Sequence, residues 1–287
     1  PARITDLSAL GDLSRLAQAD GEGTRSLGLP VAGPRIGVFS LFRLPLGAFT
    51  PHDVMYVFDR DGHVAGLLRA ERESSRDEWT VVELDAVGDT DAGDVRFRLV
   101  QHLLRDGSKR GAVRFHVACA DADGNVELFM QAGFVRYGDE RLLFRDPGEP
   151  LSLPMSDAEA SEHGIREAHS QDALALSRLY ADVTPSPVQR LEALRLPDWE
   201  RQGRDSRVPR SSLAPILRFA DVEAFVLPAP DGGPDGTQLD AFIQVGVAKE
   251  DQPHYLKLLA RPGADVAPLL RYGLGVIGAR AESSSAH

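Results

Sequence analysis

Apolar and polar positions alternate, run together or recur at helical spacing in one continuous series of elements between residues 78 and 145. The series predicts a strand at Trp79–Val87, an acidic loop at Gly88–Asp94 and a helix at Val95–Gly111. A second strand at Val113–Ala118, a short helix ending in Ala132–Phe134 and a closing strand at Arg136–Arg145 follow. Where a strand leads into a helix through a loop, the first N–H groups of the helix can bind an anion. This segment is therefore the first candidate for a binding site.

A predicted β-hairpin precedes this segment. Asp53–Phe58 and His63–Glu71 show strand-like alternation, and Asp59–Gly62 between them provides an Asp-Gly turn. Further upstream we predict a short strand at Arg3–Leu7 and an amphipathic helix at Ser8–Ala19.

The same order of elements restarts after a segment rich in proline, serine and acidic residues. We therefore divide the chain into a first module at 1–150, a linker at 151–163 and a second module at 164–287. The second module is predicted to contain a strand at Gly164–Ala168, a helix at Asp172–Val183 and a long hairpin formed by Val222–Leu227 and Gln238–Lys249. Another strand at His254–Ala260 and a last helix at Asp265–Arg280 follow. The first helix of each module contains Leu-Ser-Arg-Leu, at 13–16 and 176–179.

The end of the second module differs from that of the first. Ala281–His287 is predicted to be a polar tail, and no strand, short helix and closing strand follow the last helix. Two interpretations stay open: the second module is a reduced copy of the first, or the chain is truncated.

Composition excludes several classes of function. The net charge of −11 argues against broad binding of nucleic acids or anionic membranes, since phosphate contacts need clustered Lys and Arg. No apolar run approaches the roughly 18 residues of a membrane span, and the first residues lack the apolar core of a signal peptide, so we expect a cytoplasmic protein. The single cysteine, Cys119, fits a reducing compartment. The eight histidines show no metal-ligand spacing, so no metal site is predicted.

One glycine motif needs a separate interpretation. Residues Gly273–Gly278 match the dinucleotide pattern Gly-x-Gly-x-x-Gly. No βαβ unit completes the pattern and no acidic residue lies about twenty positions further on, as a ribose contact would require. A glycine-containing helix is the favoured interpretation.

Residues 127–134 (Glu-Leu-Phe-Met-Gln-Ala-Gly-Phe) close the predicted short helix. With the element order of residues 54–145, this motif resembles the GNAT superfamily of N-acetyltransferases, which close their fourth helix with a Leu-Tyr-x-x-x-Gly-Phe type signature. The resemblance implies an α/β fold whose mixed sheet splits to admit acetyl-CoA. Applied to both modules, it implies two tandem GNAT-like acyl-CoA N-acyltransferase folds, the second incomplete. It also implies a variable lid on the acceptor side at residues 21–50.

The resemblance implies a pyrophosphate site in the loop before the helix at Val95. The family uses a Gln/Arg-x-x-Gly-x-Gly/Ala loop, whose small residues let backbone N–H groups approach the phosphates. The corresponding positions in this chain are Asp91, Asp94 and Arg96. The two carboxylates would repel phosphate, whereas Arg96 and Arg98 could bind it as side-chain clamps. Asp94 would also suit the N-cap of the helix.

Further cofactor positions follow from the same resemblance. Backbone groups of Ala86, Val87 and Gly88 would hold the pantetheine arm. Asn125 and Phe129, on the short helix, would contact the cofactor; an asparagine at a helix start also has a purely structural interpretation.

The proton-transfer residues are less clear from the sequence. Phe129 stands where the family often has a tyrosine that protonates the departing thiolate; Tyr137 either supplies that hydroxyl or is an aromatic residue of a half-buried strand. Glu83 and Asp85 alternate onto one strand face, where burial against Trp79 would raise a carboxylate pKa toward the range of a general base. Solvated polar residues would give the same pattern, and His116 is a second candidate base.

Taken together, the residues and the resemblance predict an acetyl-CoA-dependent N-acetyltransferase. The expected acceptor is a small amine or a peptide amine, and the acetyl group would pass directly from acetyl-CoA. No nucleic acid or membrane partner is expected, and self-association as a homodimer stays open. The alternative is a catalytically inactive GNAT-fold protein that serves as a binding or regulatory module.

Overall fold

The computed structural model describes residues 27, 53–73, 77–87, 92–122, 124–141, 143, 155–200, 219–230, 232, 237–248 and 254–285. The predicted strand Arg3–Leu7, the helix Ser8–Ala19 and all but residue 27 of the predicted lid lie outside them. The described residues fall into two compact units, the first ending at Arg136 and the second beginning at Tyr137. Each unit contains a four-stranded sheet with helices, which confirms the predicted α/β class.

The first unit contains a mixed sheet in the order β1-β2-β3-β4. Its elements are β1 (Asp53–Arg60), β2 (His63–Glu73), β3 (Glu78–Ala86), α1 (Ala92–Lys109), β4 (Arg114–Val117) and α2 (Asn125–Gln131). β1, β2 and β3 pair antiparallel, whereas β3 and β4 pair parallel. The predicted hairpin is confirmed, because Asp61 and Gly62 both adopt positive φ, 54° and 83°, in a two-residue turn that matches the twist of the strands.

The core of the first unit lies between α1 and one face of the sheet. α1 contributes Val95, Leu99 and Leu103, which recur every four residues and therefore share one helix face. Gly66 of β2 lets α1 come close: a Cβ atom there would lie 2.5 Å from Cγ1 of Val95 and 3.1 Å from the backbone oxygen of Asp85. The helix is thus seated on the sheet at its first turn.

The predicted closing strand Arg136–Arg145 is wrong in the part that the structure describes. Residues 135–141 and 143 belong to no strand. Leu143 is 94% exposed, and Val135, just before the segment, is 78% exposed, so neither of these two described apolar side chains is buried as a strand residue of the sheet would be. Gly138 and the charged run Asp139–Arg141 interrupt the alternation that the prediction relied on.

The second unit contains an antiparallel sheet in the order β5-β6-β7-β8. Its elements are α3 (Asp157–Glu162), β5 (Arg166–Glu167), a 3₁₀ turn (Ser170–Asp172), α4 (Ala173–Val183), α5 (Ser186–Glu192), α6 (Leu196–Glu200), β6 (Phe219–Pro228), β7 (Leu239–Ala248), β8 (Tyr255–Ala260) and α7 (Ala267–Ser285). The predicted strands and helices after residue 164 are confirmed. β6, β7, β8 and α7 repeat the order of β1, β2, β3 and α1, and the described part of this unit has no counterpart of β4 and α2.

Two predictions at the ends of this unit need correction. The segment 151–163 contains α3, which opens with a capping box: Glu159 N–H donates to Oγ of Ser156 at 3.3 Å, and Ser156 N–H donates to Oε2 of Glu159 at 2.8 Å. The predicted polar tail is helical as far as Ser285, because Ala281 and Glu282 favour helix continuation. α3, α5 and α6 were not predicted.

The glycine motif lies inside α7, as the helical interpretation predicts. A Cβ atom at Gly273 would lie 2.9 Å from Cδ1 of Ile243 in β7. The glycine therefore allows close packing of helix on sheet. None of the described helices has the length and apolar character needed to cross a membrane.

A pH-dependent ion pair joins β5 to the 3₁₀ turn. The Arg166 guanidinium donates to Oδ1 and Oδ2 of Asp172 at 2.7 and 2.8 Å, and these hydrogen bonds lower the pKa of Asp172 below its ordinary value. A depressed carboxyl pKa stabilises the fold above the unfolded-state pKa, and this contribution is lost as the pH falls through the folded-state pKa.

We therefore expect Asp172→Asn to lower the free energy of unfolding by about 1–2 kcal/mol at neutral pH. Below about pH 4 the deficit should shrink, because the Asp172 carboxylate then takes up a proton in the unfolded state, and it should disappear as the pH falls through the lowered folded-state pKa. Urea denaturation at a series of pH values measures both effects, and Arg166→Gln should reproduce them. Parallel stability curves for Asp172→Asn and wild type would contradict the prediction.

Candidate functional site

The first sheet opens along one edge of β3. β3 pairs with β4 over Glu78–Val81, opposite Arg114–Val117, and then continues to Ala86 paired only with β2 among the described residues. Beyond β4, the backbone N–H of Ala120 donates to the oxygen of Leu27 at 2.7 Å. The edge of β3 from Val82 to Ala86 thus has no strand beside it in the described structure.

A β-bulge coincides with the point where the pairing ends. Arg69 of β2 faces Glu83, and Ala70 faces Val81, so Val82 is an extra residue in β3. A bulge bends its strand and increases the local twist. It therefore gives a physical reason why β3 leaves β4 at this position.

Glu83 and Asp85 lie on the sheet face that points away from α1. They alternate with Leu84, which is fully buried in the core on the α1 side. The Glu83 carboxylate accepts from Nε of Arg69 at 3.1 Å. The structure thus brings the two predicted base candidates onto one face, as the alternation indicated.

Trp79 does not bury these carboxylates. Its ring packs edge-on against Phe115, with centroids 6.1 Å apart, on the core face beside α1. His116 lies in the paired part of β3 and β4, with Nε2 3.7 Å from Oε2 of Glu78. The expectation that Glu83 and Asp85 are buried against Trp79 is wrong, because the bulge and the alternation place its ring on the opposite face.

The first turn of α1 lies at the end of the sheet where the edge of β3 is open, since Val95 packs against Gly66 and Gly66 faces Ala86. The helix begins at Ala92, so Asp94 lies within the first turn rather than at the N-cap. Asp94 pairs with Nε of Arg98 at 2.8 Å on the exposed helix surface. Gly88 and Asp91 lie outside the described residues.

Arg96 connects α1 to α2. Its Nη2 donates to Oδ1 of Asn125, the first residue of α2, whose side chain is buried. Gly124 precedes Asn125 at a φ of 67°, which a residue with a side chain rarely adopts. The structure therefore brings two of the predicted cofactor residues together.

Phe129 is a core residue of the first unit. It is 3% exposed and packs edge-on against Phe134, with centroids 5.3 Å apart. Tyr137, half-buried, belongs to the second unit, and its role as proton donor stays a prediction. Arg69 was not singled out from the sequence, although its alternation with Leu68 and Ala70 would have placed it on the carboxylate face.

Cys119 follows the end of β4 and is half-buried. Burial, followed by the charge of Asp121, raises the pKa of the Cys119 thiol above its ordinary value. A thiol with a raised pKa stays protonated at neutral pH, and the thiolate is the reactive form. The arrangement therefore does not favour an acyl-cysteine intermediate.

Comparison with known proteins identified similar solved structures only. No family model and no curated protein matches the sequence. A tandem GNAT protein from the clavulanic acid biosynthesis pathway, solved without acetyl-CoA, is 17% identical with a TM-score of 0.46, over 98% of this chain and 84% of that chain.

Two aminoglycoside acetyltransferases are also similar. One, solved in complex with CoA, is 13% identical with a TM-score of 0.36, over 51% of this chain and 91% of that chain. The other, the 6'-N-acetyltransferase from Enterococcus faecium, is 16% identical with a TM-score of 0.29. That match covers 38% of this chain and 52% of that chain, about half its length. The tandem protein is assigned to the superfamily that the sequence motifs resemble.

Proposed function

We propose that the first unit is an acetyl-CoA-dependent N-acetyltransferase acting on a small amine or a peptide amine. The observation that carries the proposal is the open edge of β3, next to the first turn of α1. An extended thiol carrier can hydrogen-bond to such an edge as an added strand does. Backbone groups of Ala86, Val87 and Gly88 would hold its pantetheine arm.

The pyrophosphate would lie at the first turn of α1. The helix supplies N–H groups without helical partners and the positive end of its dipole. Arg96 adds a guanidinium that Asn125 holds in place, and Arg98 adds a second positive charge at the exposed surface. A planar guanidinium suits phosphate oxygens, which it can bind through two parallel hydrogen bonds.

The chemical step would be a direct transfer. The amine nitrogen attacks the thioester carbon, the carbon–sulfur bond breaks, and the thiolate leaves and takes a proton from solvent. The attacking nitrogen gives up its proton to a carboxylate, for which Asp85 is the stronger of the two predicted candidates. Asp85 directly precedes Ala86 at the open edge, where the backbone would hold the pantetheine arm, whereas Glu83 lies two positions earlier in β3. Protonated Cys119 is consistent with transfer without an acyl-enzyme.

Calorimetric titration with acetyl-CoA at modest salt tests the proposal. We expect binding with at least micromolar affinity, and the absence of heat up to millimolar ligand would overturn it. Arg96→Ala should weaken binding by more than about tenfold, since hydrogen bonds to a charged group are worth about 1.5–3 kcal/mol. Arg98→Ala is the comparison variant: the Arg98 side chain is 61% exposed and paired with Asp94, so a smaller loss of acetyl-CoA affinity is expected.

One control separates loss of charge from loss of structure. Arg96 also binds Asn125, so its removal could loosen the contact between α1 and α2. Arg96→Lys keeps the positive charge, and thermal unfolding of each variant reports on the fold. An unchanged affinity in a folded Arg96→Ala protein would remove the phosphate assignment.

A non-catalytic binding module is the second candidate function. It is favoured by Phe129, whose buried ring fills the position of the family's tyrosine without a hydroxyl. Under this alternative, acetyl-CoA binds but no CoA is released in the presence of amines. Release of CoA above the uncatalysed rate would exclude it.

A further inference from the structure

Arg69 lies in the middle of the sheet face that carries Glu83 and Asp85. By strand register it faces Met55 of β1 on one side and Glu83 of β3 on the other. About a fifth of its side chain is exposed, 23%, and Glu83 is similar at 21%. The pair is thus neither a core ion pair nor a freely solvated one.

The contact between the two residues leaves most of the arginine donors available. Nε of Arg69 donates to Oε2 of Glu83 at 3.1 Å, and Glu83 is its one polar partner in the described structure. A guanidinium has five N–H donors, so the two terminal nitrogens keep theirs. By contrast, Arg166 in the second unit uses both terminal nitrogens to bind Asp172. An arginine that served only to neutralise Glu83 would be expected to bind it in the same way, through both terminal guanidinium nitrogens.

The surroundings of Arg69 make these donors valuable. Leu67, two residues before it on the same face, is 5% exposed and packs with four partly buried apolar side chains, those of Met55, Val57, Val64 and Val87. Polar groups beside an apolar surface interact more strongly with a bound charge than fully solvated groups do. This sheet face therefore places the guanidinium of Arg69, with its terminal N–H donors, next to the carboxylates of Glu83 and Asp85 and beside an apolar patch.

We propose that Arg69 binds a carboxylate of the acceptor, so that the acceptor is an amine with a carboxylate close to its nitrogen, as in an amino acid. This inference rests on the proposed function. The ammonium group would lie toward Glu83 and Asp85, and the carboxylate toward the terminal nitrogens of Arg69. Facing and diagonal positions of paired strands are about 5–8 Å apart, a span that the long arginine side chain can bridge. The charges on this face are thus arranged for a zwitterion.

Matched acceptor pairs test the inference. Each proteinogenic amino acid is compared with the amine of the same skeleton that lacks the carboxylate, and CoA release is followed at saturating acetyl-CoA. For the best pair we expect wild type to favour the amino acid by about tenfold or more in kcat/KM, the value of one charged hydrogen-bonded contact. Arg69→Gln should abolish that preference by raising KM for the amino acid, with kcat changed less and the amine unaffected. Arg69→Lys should retain part of it.

A second arginine of β2 provides the matched control. Arg72 lies three residues further on, over the Trp79 ring at 5.4 Å, on the face toward α1. Arg72→Gln should leave the preference for the amino acid as in wild type. Thermal unfolding of all variants identifies any that fail to fold, in which case Arg69→Lys carries the test.

The two proposals fail in different ways. If acetyl-CoA does not bind, the proposed function is overturned. If acetyl-CoA binds and amines without a carboxylate are acetylated as well as the amino acids, or if no amino acid is acetylated, only the Arg69 inference is overturned. An equal effect of Arg69→Gln on both members of a pair would also overturn it.

Discussion

Asp85→Asn is expected to lower kcat for acetyl transfer by about 10²–10⁴-fold, the range typical for removal of a general base. The amide keeps the shape of the carboxylate but cannot take a proton from the attacking nitrogen. Acetyl-CoA binding should be unchanged, because the assigned contacts come from the backbone after Asp85 and from α1. Steady-state rates of CoA release, with calorimetric acetyl-CoA binding in parallel, measure both quantities.

Glu83→Gln is the matched comparison for Asp85→Asn. Its carboxylate is bound to Arg69, so a smaller loss in kcat is expected, together with a raised KM for the acceptor. Activity of Asp85→Asn should recover in part at higher pH, where more of the amine is already deprotonated. Equal losses of kcat in the two variants would contradict the assignment of the base to Asp85.

Gly66→Val is expected to lower the free energy of unfolding by about 2–3 kcal/mol, as overpacking of a tight site does. An added Cβ would lie 2.5 Å from Cγ1 of Val95 and 3.0 Å from Cδ1 of Leu99, both of which are buried. The backbone oxygen of Asp85, at 3.1 Å, blocks movement in the other direction. α1 must therefore move away from the sheet at its first turn, and acetyl-CoA affinity should fall as well. Chemical denaturation and calorimetry measure the two effects.

Gly93→Ala provides the control for a glycine of the same unit. Gly93 lies in the first turn of α1, and a Cβ there would have no neighbour within 4 Å. Alanine is favoured over glycine in a helix by up to about 1 kcal/mol, so unchanged or slightly raised stability is expected. If Gly66→Val were as stable as wild type, the close seating of α1 on β2 would not be what fixes its first turn.

Local signals in the sequence were sufficient for most elements of the fold. The Asp61-Gly62 turn could be predicted because these residues accept positive φ, and α1 because its apolar residues recur every four positions. The segment 136–145 shows where such signals fail. Whether an apolar residue such as Leu143 is buried depends on a neighbouring surface, which the local sequence does not specify.

The candidate site could be predicted only where it depends on alternation. The shared face of Glu83 and Asp85 follows from the two-residue period of a strand. The bulge at Val82 and the contact between Arg69 and Glu83 depend instead on the register of two strands, and that contact joins residues 14 positions apart. The contact between Arg96 and Asn125 spans 29 positions and depends on how two helices pack. Contacts between residues 14 or 29 positions apart produce no repeating pattern in the sequence, so neither could be predicted from it.

The half-buried position of Cys119 has a practical consequence for enzymology. It is the only sulfhydryl group in the chain, and its raised pKa keeps the reactive anion scarce near neutral pH. A chromogenic disulfide added to the cuvette should therefore react with liberated cofactor and scarcely with the polypeptide. Turnover can then be recorded continuously, without a coupling enzyme and without replacing the cysteine.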